Sequence, residues 1–300
     1  MPRPLPLLEG YEFVQRVGRG AGAVISLAVH RATRRQVAIK HVIRRDADDE
    51  KFIRQAETEY DVASRFDNPY LRKCYEIVRR KKWFRTVELY LIMEYVDGEP
   101  LEDQCPERLE EIIPIFAHVA EGLQALHSYG FVHSDIKPNN IILTPSGNPK
   151  LIDFGQSCPI GHQKERIQGT ADFIAPEQVR KLPLDHRTDI FNFGATMYWV
   201  VTGRYFETLV SNAPTAARKI DFDAQRSSAA PHELNPRLPL PLSKLIMDCV
   251  ETNPESRPVD MRAVVARLEV ALQVLNNRRS GDDDGRDDEP DGRRAATREA

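Results

Sequence analysis

The chain has 300 residues and a mass of 34.2 kDa, with 41% hydrophobic and 29% charged residues, enough to bury the core of one large globular domain or two ordinary ones. Its 42 basic and 45 acidic side chains leave a net charge of −3, which supplies no long-range attraction to nucleic acid or anionic lipid and disfavours a nucleic-acid partner. Cys74, Cys105, Cys158 and Cys249 stand far apart with no C-x-x-C pair, which implies neither a zinc site nor a disulfide framework and fits a reducing cytoplasm. Residues 1–10 carry Pro2, Pro4 and Pro6 and no apolar core of a secretory signal, so they read as a mobile leader. In chain order, residues 11–17, 24–30, 36–43, 71–78 and 89–95 are short runs rich in β-branched and aromatic residues, the pattern of strands. Between the third and fourth, Phe52, Ile53, Ala56, Tyr60, Ala63 and Phe66 recur at helical spacing and stop at Asn68-Pro69. After Gly98 the pattern turns helical over residues 109–127, 188–201, 242–250 and 261–275. The run 190–201 is the most apolar, but it is shorter than the ~20 residues a bilayer requires and contains Asn192, so no membrane span is expected.

These elements predict an α+β fold of two lobes, a small β-rich one over about 11–96 and a larger, mainly helical one over about 97–275, with a ligand cleft between them. From residue 276 to the end there is no Val, Ile, Leu, Phe, Met, Trp, Tyr or Cys, only eight acidic and six basic residues among small polar ones. Such a segment has almost nothing apolar to offset its ordering entropy, so residues 276–300 read as a disordered charged tail.

Four stretches carry chemistry. Residues 17–24, Val-Gly-Arg-Gly-Ala-Gly-Ala-Val, turn between two strands and are nearly free of bulky side chains. Glycine lets backbone N–H groups approach a phosphate chain, although an ordinary hairpin would read the same way. Lys40 ends the strand segment Val37-Ala38-Ile39-Lys40, and Glu59 follows 19 positions later on the predicted helix. A Lys–Glu pair would aim the ammonium at phosphate oxygens, whereas a lone strand lysine would be a surface residue. The loop His133-Ser134-Asp135-Ile136-Lys137-Pro138-Asn139-Asn140 is more specific, because it brings a carboxylate, a cation and an amide into one short segment. A hydroxyl nucleophile needs a proton acceptor, a charge to balance the reacting group, and a neutral oxygen donor to help hold a metal. Asp153, in Leu151-Ile152-Asp153-Phe154-Gly155, adds a second carboxylate after an apolar strand, a hard oxygen ligand of the kind Mg²⁺ takes.

In this order and spacing, together with Ala175-Pro176-Glu177, Asp189-Ile190-Phe191-Asn192-Phe193-Gly194 and Asn253-Pro254-Glu255-Ser256-Arg257-Pro258, the chain resembles the eukaryotic-type (Hanks-type) protein kinases over about residues 11–275. The resemblance implies a serine/threonine protein kinase using ATP and Mg²⁺ on protein substrates with Ser or Thr acceptors. Arginine outnumbers lysine thirty-one to eleven, which suggests a GC-rich, bacterial genome.

By that resemblance Lys40 would contact the α and β phosphates and pair with Glu59, with Glu57 the competing position. Asp135 would orient the acceptor hydroxyl and take its proton, Lys137 would stabilise the transferring phosphoryl, and Asn140 with Asp153 would hold Mg²⁺. Gly18, Arg19, Gly20, Ala21, Gly22 and Ala23 would cover the phosphates, and Ile25, Ala38, Met93, Glu94, Val96 and Ile142 would line the adenine site. Asp189 would cap backbone N–H groups of the catalytic loop, Glu177 would pair with Arg257, and Thr170 would bond near Asp135 and Lys137. Two positions depart from the family pattern. Ala23 stands where the third glycine of the loop is expected, and Ser134 where many members have an arginine that meets a phosphate on the activation segment. Only Ser157 and Thr170 carry a hydroxyl between Asp153 and Glu177, so activity is expected not to require phosphorylation of that segment. The alternatives are a pseudokinase scaffold, disfavoured by the presence of Lys40, Glu59, Asp135, Asn140 and Asp153 together, and a small-molecule kinase, disfavoured by Lys137 and the Ala175-Pro176-Glu177 segment.

Overall fold

A computed structural model describes residues 8–20, 22–210 and 228–283. Its N-terminal part is one antiparallel sheet built from β1 (Tyr11–Gly20), β2 (Ala23–His30), β3 (Gln36–Ile43), β4 (Cys74–Lys82) and β5 (Arg85–Glu94), in the spatial order β1-β2-β3-β5-β4. Helix α1 (Glu50–Ala63) crosses one face. The central strand β3 is covered on both sides. Ala38 and Val42 belong to the main core beneath the sheet, while Val37 and Ile39 pack with Ala28, Tyr90 and Ile92 on the outer face. Because side chains alternate along a strand, Lys40 shares the inner face with Ala38 and Val42, which points it at α1 and the cleft rather than at solvent.

The C-terminal part contains β6 (Glu99–Pro100), α2 (Leu109–Ser128), β7 (Phe131–Val132), β8 (Ile141–Leu143), β9 (Pro149–Leu151), β10 (Cys158–Pro159), α3 (Pro176–Val179), α4 (His186–Thr202), α5 (Pro231–Leu234), α6 (Leu240–Cys249) and α7 (Met261–Asp283). The small strands pair as β6-β8-β9 and β10-β7, both arrangements antiparallel. The apolar run 190–201 lies in α4, where residues from Thr188 to Tyr198 are buried. No helix among the described residues is long and apolar enough to cross a membrane. Asn192, the polar interruption of that run, donates from Nδ2 to Phe173 O at 2.7 Å, so α4 holds the segment in front of α3.

Most element boundaries shift by a few residues from the sequence reading, and three of the differences bear on the site or the chain end. The strand expected from residue 71 starts at Cys74, because Leu71 bridges in parallel to Leu151 and Arg72 N donates to Leu151 O at 2.9 Å, joining the two lobes instead of the sheet. The glycine-rich turn is tighter than expected. Gly18, Arg19 and Gly20 are strand residues paired with Ile25, Val24 and Ala23. The helix expected over 261–275 continues to Asp283, which corrects the start of the disordered tail: residues 276–283 extend a helix already nucleated by buried Met261, Val264, Leu268 and Ala271. Residues 1–7 of the leader, Ala21 and residues 284–300 of the tail lie outside the described residues.

Candidate active site

The two lobes enclose a cleft of about 1090 Å³. Ala38, Lys40 and Val42 of β3, with Ile25 of β2, form its roof, and Gly18, Arg19, Gly20 and Ala23 its lip. Glu94 and Val96 border it at the crossing between lobes, and Ile142 lies on its floor. Asp135, Lys137, Asn140 and Asp153 also line it, so residues more than a hundred positions apart share one cavity.

Two expected lining residues do not reach this cavity directly. Met93 is wholly buried, with its backbone paired to Ala38 and Cys74, because alternation along β5 turns it into the core while Glu94 borders the cleft. Gly22 lies against Phe52. Its φ is 70°, and a Cβ there would fall 2.2 Å from the Phe52 ring, so glycine is required by both backbone and space. Ala23 is buried in the core beneath the sheet.

Glu59 sits on the inner stripe of α1, in register with Ile53, Ala56 and Val62, and is completely buried. Its Oε2 lies 2.6 Å from Lys40 Nζ, and its Oε1 accepts from Arg72 Nη2. Glu57, the competing position, faces outward and pairs with Arg79 at 2.8 Å. Lys40 is also 3.7 Å from Asp153 Oδ1. Burial by itself would lower the Lys40 pKa, but Glu59 and Asp153 reverse this and raise it. The same ammonium, assisted by Arg72, holds the Asp153 carboxyl at about 2, well below its ordinary value.

The catalytic-loop residues are ordered from behind. Asp189, on the first turn of α4, accepts from Ser134 N at 2.7 Å, His133 N at 2.8 Å and His127 Nε2 at 2.8 Å. Burial would raise its pKa, yet the His127 bond and the positive surroundings hold it lowered. His133 Nδ1 accepts from Asp135 N at 3.3 Å, so the ring proton is on Nε2, which donates to Ile152 O at 3.2 Å. The Asp135 carboxylate is mostly buried and has three partners: Thr170 Oγ1 donates to Oδ1 at 2.9 Å, Lys137 Nζ donates to Oδ2 at 3.0 Å, and Asn140 Nδ2 lies 3.5 Å from Oδ2. Lys137 also donates to Thr170 Oγ1 at 2.8 Å, closing a three-membered network. Asn140 uses its NH₂ group on Asp135 O at 2.8 Å, which orients the amide, and its Oδ1 accepts no hydrogen bond among the described residues.

That free amide oxygen and the ionised Asp153 carboxylate are hard oxygen donors in the cleft. No group of three or more His, Cys, Asp or Glu suited to a metal occurs among the described residues. Magnesium does not need one, since it keeps several waters and substrate phosphate oxygens in its shell. The residues therefore fit a magnesium-phosphate ligand. Glu177 of α3 is fixed by a bidentate pair with Arg257, 2.7 and 2.9 Å, buried on both sides.

Sequence reasoning missed Arg72, Lys164 and Gln178. Arg72, inside the strand run expected from residue 71, is buried against Glu59. Gln178 Nε2 donates to Ser134 O at 2.8 Å and to Gln168 O at 3.1 Å, stitching the segment after Asp153 to the catalytic loop.

A β-sheet lobe over a helical lobe, with a lysine–glutamate pair and a loop aspartate facing each other across the cleft, defines a two-lobed kinase architecture. The chain belongs to the protein kinase domain family, whose model matches residues 11–267. It is 30% identical over 275 residues to a probable serine/threonine-protein kinase of Clostridium acetobutylicum, covering 89% of this chain and 40% of that relative. It is 29% identical over 283 residues to the serine/threonine-protein kinase PknL of Mycobacterium tuberculosis, with 91% and 69% coverage. It is also 29% identical over 282 residues to PknB of the same species, with 89% and 44% coverage. The chain thus spans less than half the length of the clostridial relative and of PknB.

Proposed function

We propose that this chain transfers the γ-phosphoryl group of ATP to serine or threonine hydroxyls of proteins. The observation that carries the reading is the Asp135 carboxylate, held by Lys137 and Thr170 inside the cleft that also contains the Lys40–Glu59 pair. In this reading Asp135 receives the acceptor hydroxyl, orients its oxygen and takes its proton. Lys137, already within hydrogen-bond distance of Asp135, balances charge on the phosphoryl as it moves. Lys40, anchored by Glu59, presents a fixed cation to the phosphates on the far side. Asp153 and the Asn140 amide oxygen would hold Mg²⁺, which neutralises phosphate charge when bound. Gly18, Gly20 and the neighbouring backbone close over the phosphates, and Ala38, Ile25 and Ile142 give the adenine an apolar slot. The acceptor preference rests on Lys137 and Thr170 beside the base. Four unpaired cysteines are consistent with a reducing cytoplasm.

The test is labelled ATP and Mg²⁺ with generic protein substrates, followed by phosphoamino-acid analysis. Phosphoserine and phosphothreonine are expected, and Asp135→Asn is expected to lower kcat by about 10²–10⁴ while ATP still binds. Phosphotyrosine alone would overturn the acceptor assignment. Equal turnover by Asp135→Asn would overturn the assignment of the base.

A further inference from the structure

Lys164 lies in the segment between Asp153 and α3, and its side chain is buried, with only 9% of the residue exposed. An ammonium taken out of water normally has a carboxylate beside it. Lys164 has none within ion-pair distance among the described residues. Instead Nζ donates to Ser134 Oγ at 2.7 Å and to Gln156 O at 2.6 Å. Ser134 Oγ in turn donates to Gln156 O at 2.7 Å, so the three groups form a closed triangle. Its corners come from three pieces of chain: Ser134 immediately precedes Asp135, Gln156 ends the short turn after Asp153, and Lys164 belongs to the segment that leads to Thr170. Ser134 is held in the left-handed region at φ 61°, with its N–H on Asp189 and its carbonyl on Gln178, so its hydroxyl has little freedom of its own.

Neither hydroxyl-bearing residue of the segment is available to be modified in this arrangement. Ser157 is buried, and Thr170 Oγ1 is bonded to both Asp135 and Lys137. Burial lowers the pKa of Lys164, and Cys158, Asp135 and Asp189 act against that lowering.

We infer that Lys164 is a positioning residue which, by bonding Ser134 and Gln156, locks the segment 157–170 onto the catalytic loop in its substrate-ready shape without any covalent modification. The inference rests on the kinase reading of the same cleft and deepens it by naming how the site is kept on. Lys164 does not touch the reacting atoms. It acts through Ser134 on Asp135 and through the segment on Thr170.

The experiment uses the full chain, first treated with phosphatase, and compares wild type with Lys164→Met and Ser134→Ala. Methionine keeps the length and apolar stem of lysine, and replacing a buried cation that lacks a carboxylate partner by an apolar group does not destabilise the core. Lys164→Met is therefore expected to melt at or above the wild-type temperature. It is also expected to lose about tenfold in kcat/KM for a peptide acceptor, with KM for ATP unchanged. Hydrogen exchange over residues 157–170 should become faster, while α1 and α4 exchange as before. Ser134→Ala should show the same pattern more weakly, since Gln156 O remains, and the double variant should be no worse than Lys164→Met. Wild-type kcat/KM and wild-type exchange in Lys164→Met would overturn the inference. So would loss of wild-type activity on phosphatase treatment with recovery tracking Ser157 or Thr170. If no acceptor is phosphorylated by the wild type, the kinase reading fails, and the exchange comparison still decides the tether.

Discussion

Replacing Glu59 by glutamine tests the charge arrangement that joins the lobes. The wild-type carboxylate is completely buried between Lys40 and Arg72, whose side chains are only 16% and 7% exposed. After the exchange, the two cations keep a single nearby carboxylate, Asp153, 3.7 Å from Lys40. Removing one partner of a buried pair costs about 3–5 kcal/mol, and the lower end applies here because the glutamine oxygen still accepts from one cation. For a chain of this size each kcal/mol lowers Tm by about 2–4 °C, so a drop of roughly 10 °C is expected in thermal melts of the full chain. The cycle with Arg72→Met sharpens the test. In the wild-type background that change removes a partner of Glu59 and should destabilise. In the Glu59→Gln background it removes surplus positive charge and should stabilise. A Glu59→Gln protein melting within about 2 °C of wild type, or an Arg72→Met effect of the same sign and size in both backgrounds, would refute the view that these three side chains act as one unit.

Arg257→Ala should cost about 3–5 kcal/mol in denaturant unfolding, because Glu177 stays buried without its bidentate partner. Arg257→Lys should recover less than half of that, lacking the planar fork. The lowered carboxyl of Asp153 contributes stability that is fully present above the ordinary carboxylate value near 3.8 and is lost as pH falls toward about 2, and the lowered carboxyl of Asp189 acts in the same direction. Acid unfolding followed by fluorescence should therefore fall in that window and move to higher pH when Lys40 is replaced by methionine. Under brief alkylation followed by mass spectrometry, half-buried Cys105 should react first. Cys158 and Cys249 are buried and have thiols pushed up to about 11 and about 12, so they should stay unmodified until the chain unfolds. Early labelling of Cys158 would reverse this.

Much of the architecture is legible in local pattern. Strand runs and the 3.6-residue spacing of Ile53, Ala56 and Val62 report which face of each element is apolar, and the core follows those faces. Asp135, Lys137 and Asn140 fall within one short loop, so their proximity is a matter of covalent spacing. Periodicity carries no information on the pairings of small strands such as β7 with β10 or β6 with β8, which are two or three residues long and set by their neighbours. It also did not anticipate residues 276–283 as helix, since a polar segment with no apolar periodicity can still propagate a helix begun on a packed face.

What the sequence by itself determined is the set of chemical groups and the elements that carry them: a lysine on a strand, a carboxylate on a helix, a loop of Asp, Lys and Asn, and a second Asp after a buried strand. Only the tertiary structure decided which charges are buried. Nothing in the local sequence marks Arg72 or Lys164 as buried, yet folding places one against Glu59 and the other on Ser134 and Gln156. The physical reason is that desolvation of a charge depends on what other segments cover it, a property of long-range packing that no window of neighbouring residues contains.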